Sequence, residues 1–190
     1  MLEELLKYDT QLFLFLNQLG NERWDGFWLF ITNKFASIPL YLVLLYLIWK
    51  HFSWKATLLI LVIVIVMITA TDQLANLFKY ILVQRPRPCR VNALLEQMRF
   101  LADYCGRYGY FSAHASSSMG IAVFTGLLLK KHYIYLPFML LFWAAIVAYS
   151  RIYIGVHYPL DSITGMVVGG ILGWVFFKLW KVLQKRFIPS

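Results

Sequence analysis

Four stretches of this chain are apolar for long enough to decide its class before any single residue is considered. Residues 56–71 (ATLLILVIVIVMITAT) carry no charge, and a helix there continues past Asp72 to about Val83. At 1.5 Å per residue, a helix over residues 56–79 spans roughly 35 Å, enough to cross a hydrocarbon core of about 30 Å. Residues 115–129, 133–150 and about 157–183 repeat the pattern. An earlier apolar segment, residues 24–49, is interrupted at Asn33 and Lys34 and holds one span, better defined from Ile38 onward. Residues 1–20 differ. Leu2, Leu5, Leu6, Phe13, Leu16 and Leu19 recur near helical spacing among Glu3, Glu4, Lys7 and Asp9, the pattern of an amphipathic interfacial helix. They lack the basic start, long apolar stretch and small-residue cleavage site of a signal peptide. The pattern predicts an all-α polytopic transmembrane bundle of about five spans plus that N-terminal helix, in a single domain over residues 1–190.

Composition agrees and adds a question. Apolar residues make up 61% and charged residues 14% of the chain, against about 45–50% and 25% in soluble domains. That excludes a disordered chain and argues against a soluble fold. Yet 18 Lys and Arg face 9 Asp and Glu, a net charge of +9. Five spans place Lys50 and Lys55, Lys130 and Lys131, and Lys178, Lys181, Lys185 and Arg186 on one side, which the positive-inside rule predicts to be cytoplasmic. The opposite side receives the N-terminal helix, a loop over residues 84–113 and residues 151–156. It carries Arg85, Arg87, Arg90, Arg99, Arg107 and Arg151, against the simple rule. Two explanations stand: contact with lipid headgroups, or binding of an anion.

Three patches carry candidate chemistry. In Ser150-Arg151-Ile152-Tyr153-Ile154-Gly155-Val156-His157-Tyr158-Pro159-Leu160-Asp161, His157 and Asp161 are four apart and share a face if helical. A carboxylate there accepts the imidazole N–H, fixes the tautomer and frees the other nitrogen as a nucleophile. Pro159 suits a first turn, so the helix is predicted to start near His157. The bland reading is an interfacial His beside a capping Asp. In the second patch, Ser112 is an N-cap candidate, and the small residues after it leave backbone N–H groups open to an anion. His114 in that first turn is placed to protonate a leaving group; the alternative is a capped helix start and nothing more. The third patch is Lys79 with Arg85-Pro86-Arg87-Pro88, where prolines stiffen a segment bearing forked donors suited to phosphate. Asp72, Asn76 and Lys79 share a helix face, so an intramembrane charge pair competes for Lys79.

Together the three patches resemble the phosphatidic acid phosphatase type 2 (PAP2) superfamily of membrane phosphatases. Its pattern is a Lys followed by Arg-Pro, then Pro-Ser-Gly-His, then Ser-Arg…His…Asp. The third element matches from Ser150 and Arg151 through His157 to Asp161. In the second, Ser112 and His114 are present, with Phe111 for Pro and Ala113 for Gly. In the first, Arg85 is six and Arg87 eight residues after Lys79, where the family places the Arg seven after; Arg87 is preferred, with Arg85 the alternative. The resemblance implies a phosphatase needing neither metal nor cofactor, with His157, His114 and Asp161 as its catalytic set. By carry-over, His157 attacks phosphorus and forms a phosphohistidine, Asp161 holds His157, and His114 protonates the leaving oxygen. Lys79, Arg87, Ser112 and Arg151, with the Ala113 N–H, bind the phosphate oxygens.

The expected function is therefore hydrolysis of a lipid phosphate or lipid pyrophosphate of the undecaprenyl pyrophosphate, phosphatidylglycerol phosphate, phosphatidic acid or lipid A type. The enzyme is expected in the inner membrane with its site facing the periplasm. The rivals are a phosphatase of soluble phosphoesters and an inactive lipid-binding or transport protein on the same scaffold. The bilayer and a lipid phosphate are the expected partners, and no nucleic acid. Cys89 and Cys105, both in the outer loop, form a disulfide beside the site or remain two free thiols. Gly165, Gly169 and Gly173 make a small-residue stripe, read as packing within the bundle, with a homodimer face as the alternative.

Overall fold

Serines and prolines set the helix boundaries that the apolar runs leave open. The structure, a computed structural model, describes residues 2–188. It contains α1 (Leu2–Gln18), α2 (Glu22–Thr32), α3 (Ile38–His51), α4 (Trp54–Leu77), a short α5 (Asn92–Leu95), α6 (Ala113–Leu129), α7 (Leu136–Tyr153) and α8 (Pro159–Phe187). Ser53 caps α4 by accepting from the Ala56 N–H at 3.3 Å. Pro39, Pro137 and Pro159 occupy first turns of α3, α7 and α8, where a missing N–H removes no intrahelical bond. A π-helical turn, Phe78–Leu82, prolongs α4. With that turn, α4 is long and apolar enough to cross a membrane, as are α7 and α8; α2 and the segment Phe35–His51 form a further apolar pair bent by 74°.

The expected spans map onto α3, α4, α6, α7 and α8. Of these, α3 is the shortest, at 14 residues, and α6, at 17, lies at the centre. Ala115, Ile121, Ala122, Phe124, Leu128 and Leu129 are all buried, so this helix is apolar on every side because protein surrounds it. It packs most closely on α8. A Cβ added at Gly165 would lie 2.5 Å from the Ser112 carbonyl oxygen, one at Gly173 2.6 Å from that of Gly120, and one at Gly169 would overlap the Ser116 carbonyl. The glycine stripe is thus spent inside the bundle, letting two backbones touch.

The two ends of the bundle differ. At one end the His51 ring stacks on His132 at 3.9 Å, and Phe52 meets Trp180 at 5.9 Å. The lysine-bearing connection after α3, that after α6 and the far part of α8 therefore lie together. At the other end Phe13, Met98, Ile152, Tyr153, Ile154, Val156 and Tyr158 form a second, smaller core. There α1 does more than lie along an interface. Asp9, Phe13 and Asn17, spaced by four, are its buried positions. Asn17 donates to the Tyr153 carbonyl at 2.8 Å and accepts from the Arg99 N–H at 2.7 Å. Leu2, Leu5, Leu12 and Phe15 of this helix, and Leu19 just after it, stay exposed. Cys89 and Cys105 form a disulfide with Cα atoms 6.2 Å apart, tying the long connection before α6 at this same end.

Candidate active site

The loop between α7 and α8 places the central histidine. The chain leaves α7 through Gly155, at φ 82°, a conformation that costs glycine little. The N–H groups of Val156 and His157 then both donate to the Arg151 carbonyl, at 3.1 and 3.2 Å, folding the loop back over the end of α7. The predicted helix start near His157 is corrected: α8 begins at Pro159, and His157 lies outside it. The pairing with Asp161 survives for another reason. Asp161 sits in the first turn and reaches back, its Oδ2 accepting from the Tyr158 N–H at 3.1 Å and meeting His157 Nδ1 at 3.3 Å. A carboxylate only accepts, which assigns the imidazole proton to Nδ1 and leaves the Nε2 lone pair free. Burial, and then the charges of Arg87, Arg151 and Lys79, hold the His157 pKa well below its ordinary value.

His157 opens on a cavity of about 470 Å³ at this end of the bundle. Lys79, Arg87, His114 and Arg151 line it, with Ala113 and Ser117 from the start of α6. Lys79 projects from the π-helical turn, a local widening found often at functional sites. The Arg87 Nε donates to the Tyr108 carbonyl at 3.0 Å, fixing its guanidinium. Arg151 Nη1 donates to Thr32 Oγ1, and its buried Nε has no hydrogen-bond partner among the described residues. Asp72, paired with Asn76 at 3.1 Å, also lines the cavity. Farther in, Tyr41, Ile68 and Ile121 make the wall apolar. Three cations, a helix N-terminus and a neutral imidazole suit a tetrahedral oxyanion such as phosphate.

Two of the predicted residues stand behind this wall. Ser112 caps α6 as expected, its Oγ accepting from the Ala115 N–H at 3.4 Å, but it is fully buried and its own N–H donates to the Asp161 carbonyl at 3.0 Å. Asp161 is likewise buried and meets the cavity only through His157. The two arginines of the Arg-Pro-Arg-Pro run diverge. Arg87 lines the cavity, whereas Arg85 Nη1 lies 3.2 Å from Asp161 Oδ1. Sequence reasoning missed Thr32, which holds Arg151, and Gly109, whose N–H donates to the Arg85 carbonyl at 2.9 Å. It also missed Asp9, which interrupts the apolar stripe of α1 at the spacing of Phe13 and Asn17, a signal that was present. Among the described residues, no group of three or more His, Cys, Asp or Glu is placed to hold a metal ion.

Comparison with known proteins gives concordant matches. A family model described as the PAP2 superfamily matches residues 56–185. The lipid A 4'-phosphatase of Bacteroides thetaiotaomicron is 36% identical over 188 residues, covering 98% of this chain and 83% of the relative. That of Porphyromonas gingivalis is 28% identical over 192 residues, covering 100% of this chain and 80% of the relative. The crystal structure of Aquifex aeolicus LpxE matches with a TM-score of 0.65 at 23% identity, over 89% of this chain and 94% of its own. That of the first transmembrane PAP2 type phosphatidylglycerolphosphate phosphatase from Bacillus subtilis matches with a TM-score of 0.71 at 17% identity, over 98% and 89%. At these identities the structural matches speak for the fold.

Proposed function

This chain belongs to the PAP2 superfamily and is a membrane lipid phosphatase, and we propose on that premise that it removes the 4' phosphate of lipid A through a phosphohistidine intermediate. The observation that carries the chemistry is the convergence of His157, His114, Lys79, Arg87 and Arg151 on one cavity at the end of the bundle. The substrate assignment rests on the relatives named lipid A 4'-phosphatase, which align over nearly the whole chain.

The steps follow from the placement of the groups. Lys79, Arg87 and Arg151, with the Ala113 N–H, hold the phosphate oxygens and offset the charge that builds on them in the transition state. His157 Nε2 attacks phosphorus, the bond from phosphorus to the sugar oxygen breaks, and His114 gives that oxygen a proton. The imidazole keeps its proton on Nδ1, against Asp161. His114 then takes a proton from water, the resulting hydroxide attacks phosphorus, and the P–N bond breaks to release inorganic phosphate. Ser112 serves this sequence by capping the helix that presents Ala113 and His114. All positive charge in this scheme comes from side chains. The headgroup enters at the cavity while the tails stay in the bilayer, beside the apolar wall. The lysine-rich end faces the cytoplasm of the inner membrane, and the site faces the periplasm.

Phosphate release by the purified protein in detergent, with a chelator present, tests this. Lipid A is expected to lose one phosphate and to give the highest kcat/KM in a panel with phosphatidylglycerol phosphate, phosphatidic acid, undecaprenyl pyrophosphate and a soluble aryl phosphate. His157→Ala is expected to abolish release. Equal release by wild type and His157→Ala removes the phosphohistidine. Loss of activity with chelator removes the metal-free scheme. Preference for another member of the panel removes the lipid A assignment.

A further inference from the structure

Behind His157 lies a run of buried charges that crosses from α8 to the N-terminal helix. One oxygen of Asp161, Oδ2, serves His157 Nδ1 and the Tyr158 N–H, at 3.3 and 3.1 Å. The other, Oδ1, lies 3.2 Å from Arg85 Nη1, and the same nitrogen lies 2.7 Å from Asp9 Oδ2. The second oxygen of Asp9 accepts from the Leu160 N–H at 2.8 Å, in the first turn of α8. The Arg85 guanidinium lies 3.7 Å over the ring of Tyr158, and Phe13, one turn after Asp9, packs edge-on against that ring at 5.4 Å. The side chains of Asp9, Arg85 and Asp161 are 5%, 13% and 0% exposed. Arg85 does not line the cavity, which leaves it no role as a phosphate ligand in this arrangement.

We propose that Asp9 and Arg85 are positioning residues for the nucleophile, and that α1 is thereby an integral part of the active site. The proposal rests on the reading of His157 as the nucleophile. A buried carboxylate without a cationic partner tends to take up a proton, and a protonated Asp161 could no longer serve as the full acceptor that keeps the imidazole proton on Nδ1. Arg85 supplies that cation. Asp9 in turn orients Arg85, and through Leu160 it ties the same helix to the first turn of α8. Asp9, Arg85 and Asp161, far apart in sequence, thus set one lone pair. The charge count fits the reaction: Asp9, Arg85 and Asp161 sum to minus one behind a ring that faces Lys79, Arg87 and Arg151 in front. When His157 gains a phosphoryl group and its ring becomes cationic, the carboxylate side is already in place to stabilise it.

The test compares the purified full-length wild type with Asp9→Asn, Arg85→Gln, the double variant and Arg87→Gln, by phosphate release from lipid A in detergent micelles. Asp9→Asn and Arg85→Gln are each expected to lower kcat by about 10- to 100-fold, the range for residues that orient a ligating or reacting histidine, with KM within about twofold of wild type. The double variant is expected to fall no further than Arg85→Gln, because the two act as one unit. Arg87→Gln is expected to raise KM. Asp9→Asn keeps an oxygen for the Leu160 N–H, so it carries the kinetic test if Arg85→Gln does not fold. Wild-type kcat in either folded variant, or a change confined to KM, overturns the proposal. Nitrogen NMR of histidine-labelled wild type is a second arm, where His157 is expected as the Nδ1–H tautomer and the Nε2–H tautomer overturns it. A wild type inactive on every lipid would instead count against the proposed function, and the NMR arm would still decide the geometry.

Discussion

Gly109 has no side chain, and the space it leaves is already taken. A Cβ built there would lie 3.0 Å from Asp161 Oδ2, 3.2 Å from Arg87 Cγ and 3.5 Å from His157 Nδ1. A methyl group must therefore displace a carboxylate oxygen, the stem of the cavity-lining Arg87, or both. Gly109→Ala is expected to keep the fold and lose about 10- to 100-fold in kcat/KM, the scale of loss from sub-ångström to ångström misplacement of reacting groups; activity within twofold of wild type would contradict this. His157 makes a second prediction at this scale. Its pKa is held well below the ordinary 6.5, first by burial and then by Arg87, Arg151 and Lys79. The unfolded chain therefore binds a proton at this residue as the pH falls below about 6.5, while the folded protein does not. The stability that neutral His157 contributes is present above that pH and is lost progressively below it. The melting temperature of wild type, measured against His157→Gln, is expected to fall between pH 7 and pH 5; a difference that stays flat would show an ordinary imidazole. The grouping of Arg151, His157 and Asp161, and that of Ser112 with His114, is legible in the chain because each spacing is local. Gly109 is not, since its neighbours Arg87, His157 and Asp161 come from two other segments and its only local mark is the absence of a side chain.

Among the elements, the pair α6 and α8 sets the site. Their backbones touch along Gly165, Gly169 and Gly173, and one end of that contact is the turn where Ser112 donates to Asp161. A Cβ at Gly169 would overlap the Ser116 carbonyl, whereas one at Gly170 finds its nearest atom, Met119 Cγ, at 3.7 Å. Gly169→Ala must push two helices apart, at a cost of about 1–3 kcal/mol or more. It should also shift the α6 N-terminus against His157. Gly170→Ala, next to it in sequence, relieves a flexible position without a clash and should be neutral or slightly stabilising. Thermal unfolding followed by tryptophan fluorescence, with phosphate release alongside, separates the two; equal melting temperatures would deny the backbone contact. The stripe was visible in the sequence, and its reading as internal packing holds. The docking of α1 was not. Its leucines announce an amphipathic helix, but the attachment runs through Asp9, Phe13 and Asn17, whose partners lie at Arg85, Tyr158 and the end of α7, far along the chain. A π-helical turn at Lys79 leaves no periodic signature either, because five residues are too few to shift a pattern.

For the molecule as a whole, the net charge of +9 is two signals placed at opposite ends. Lys50, Lys55, Lys130, Lys131, Lys178, Lys181, Lys185 and Arg186 belong to the parts of the chain that the His51–His132 stack and the Phe52–Trp180 contact gather at one end. Arg87, Arg151 and Lys79 line a cavity at the other. The Cys89–Cys105 disulfide lies with the cavity, and disulfides persist in oxidising compartments, so charge and cysteine chemistry point to the same orientation. Asn92 and Lys131 are exposed and mark the two ends. The native cysteines are paired, so a single introduced thiol is the one that reports. In intact cells, Asn92→Cys is expected to react with a membrane-impermeant maleimide, and Lys131→Cys to react only after the membrane is permeabilised. The reverse labelling would turn the protein over. It would also move the cavity to the cytoplasmic leaflet, so that the accessible lipid phosphates would be those made there rather than those already carried across. Orientation therefore decides which pool of lipid phosphate the cavity lined by His157 meets.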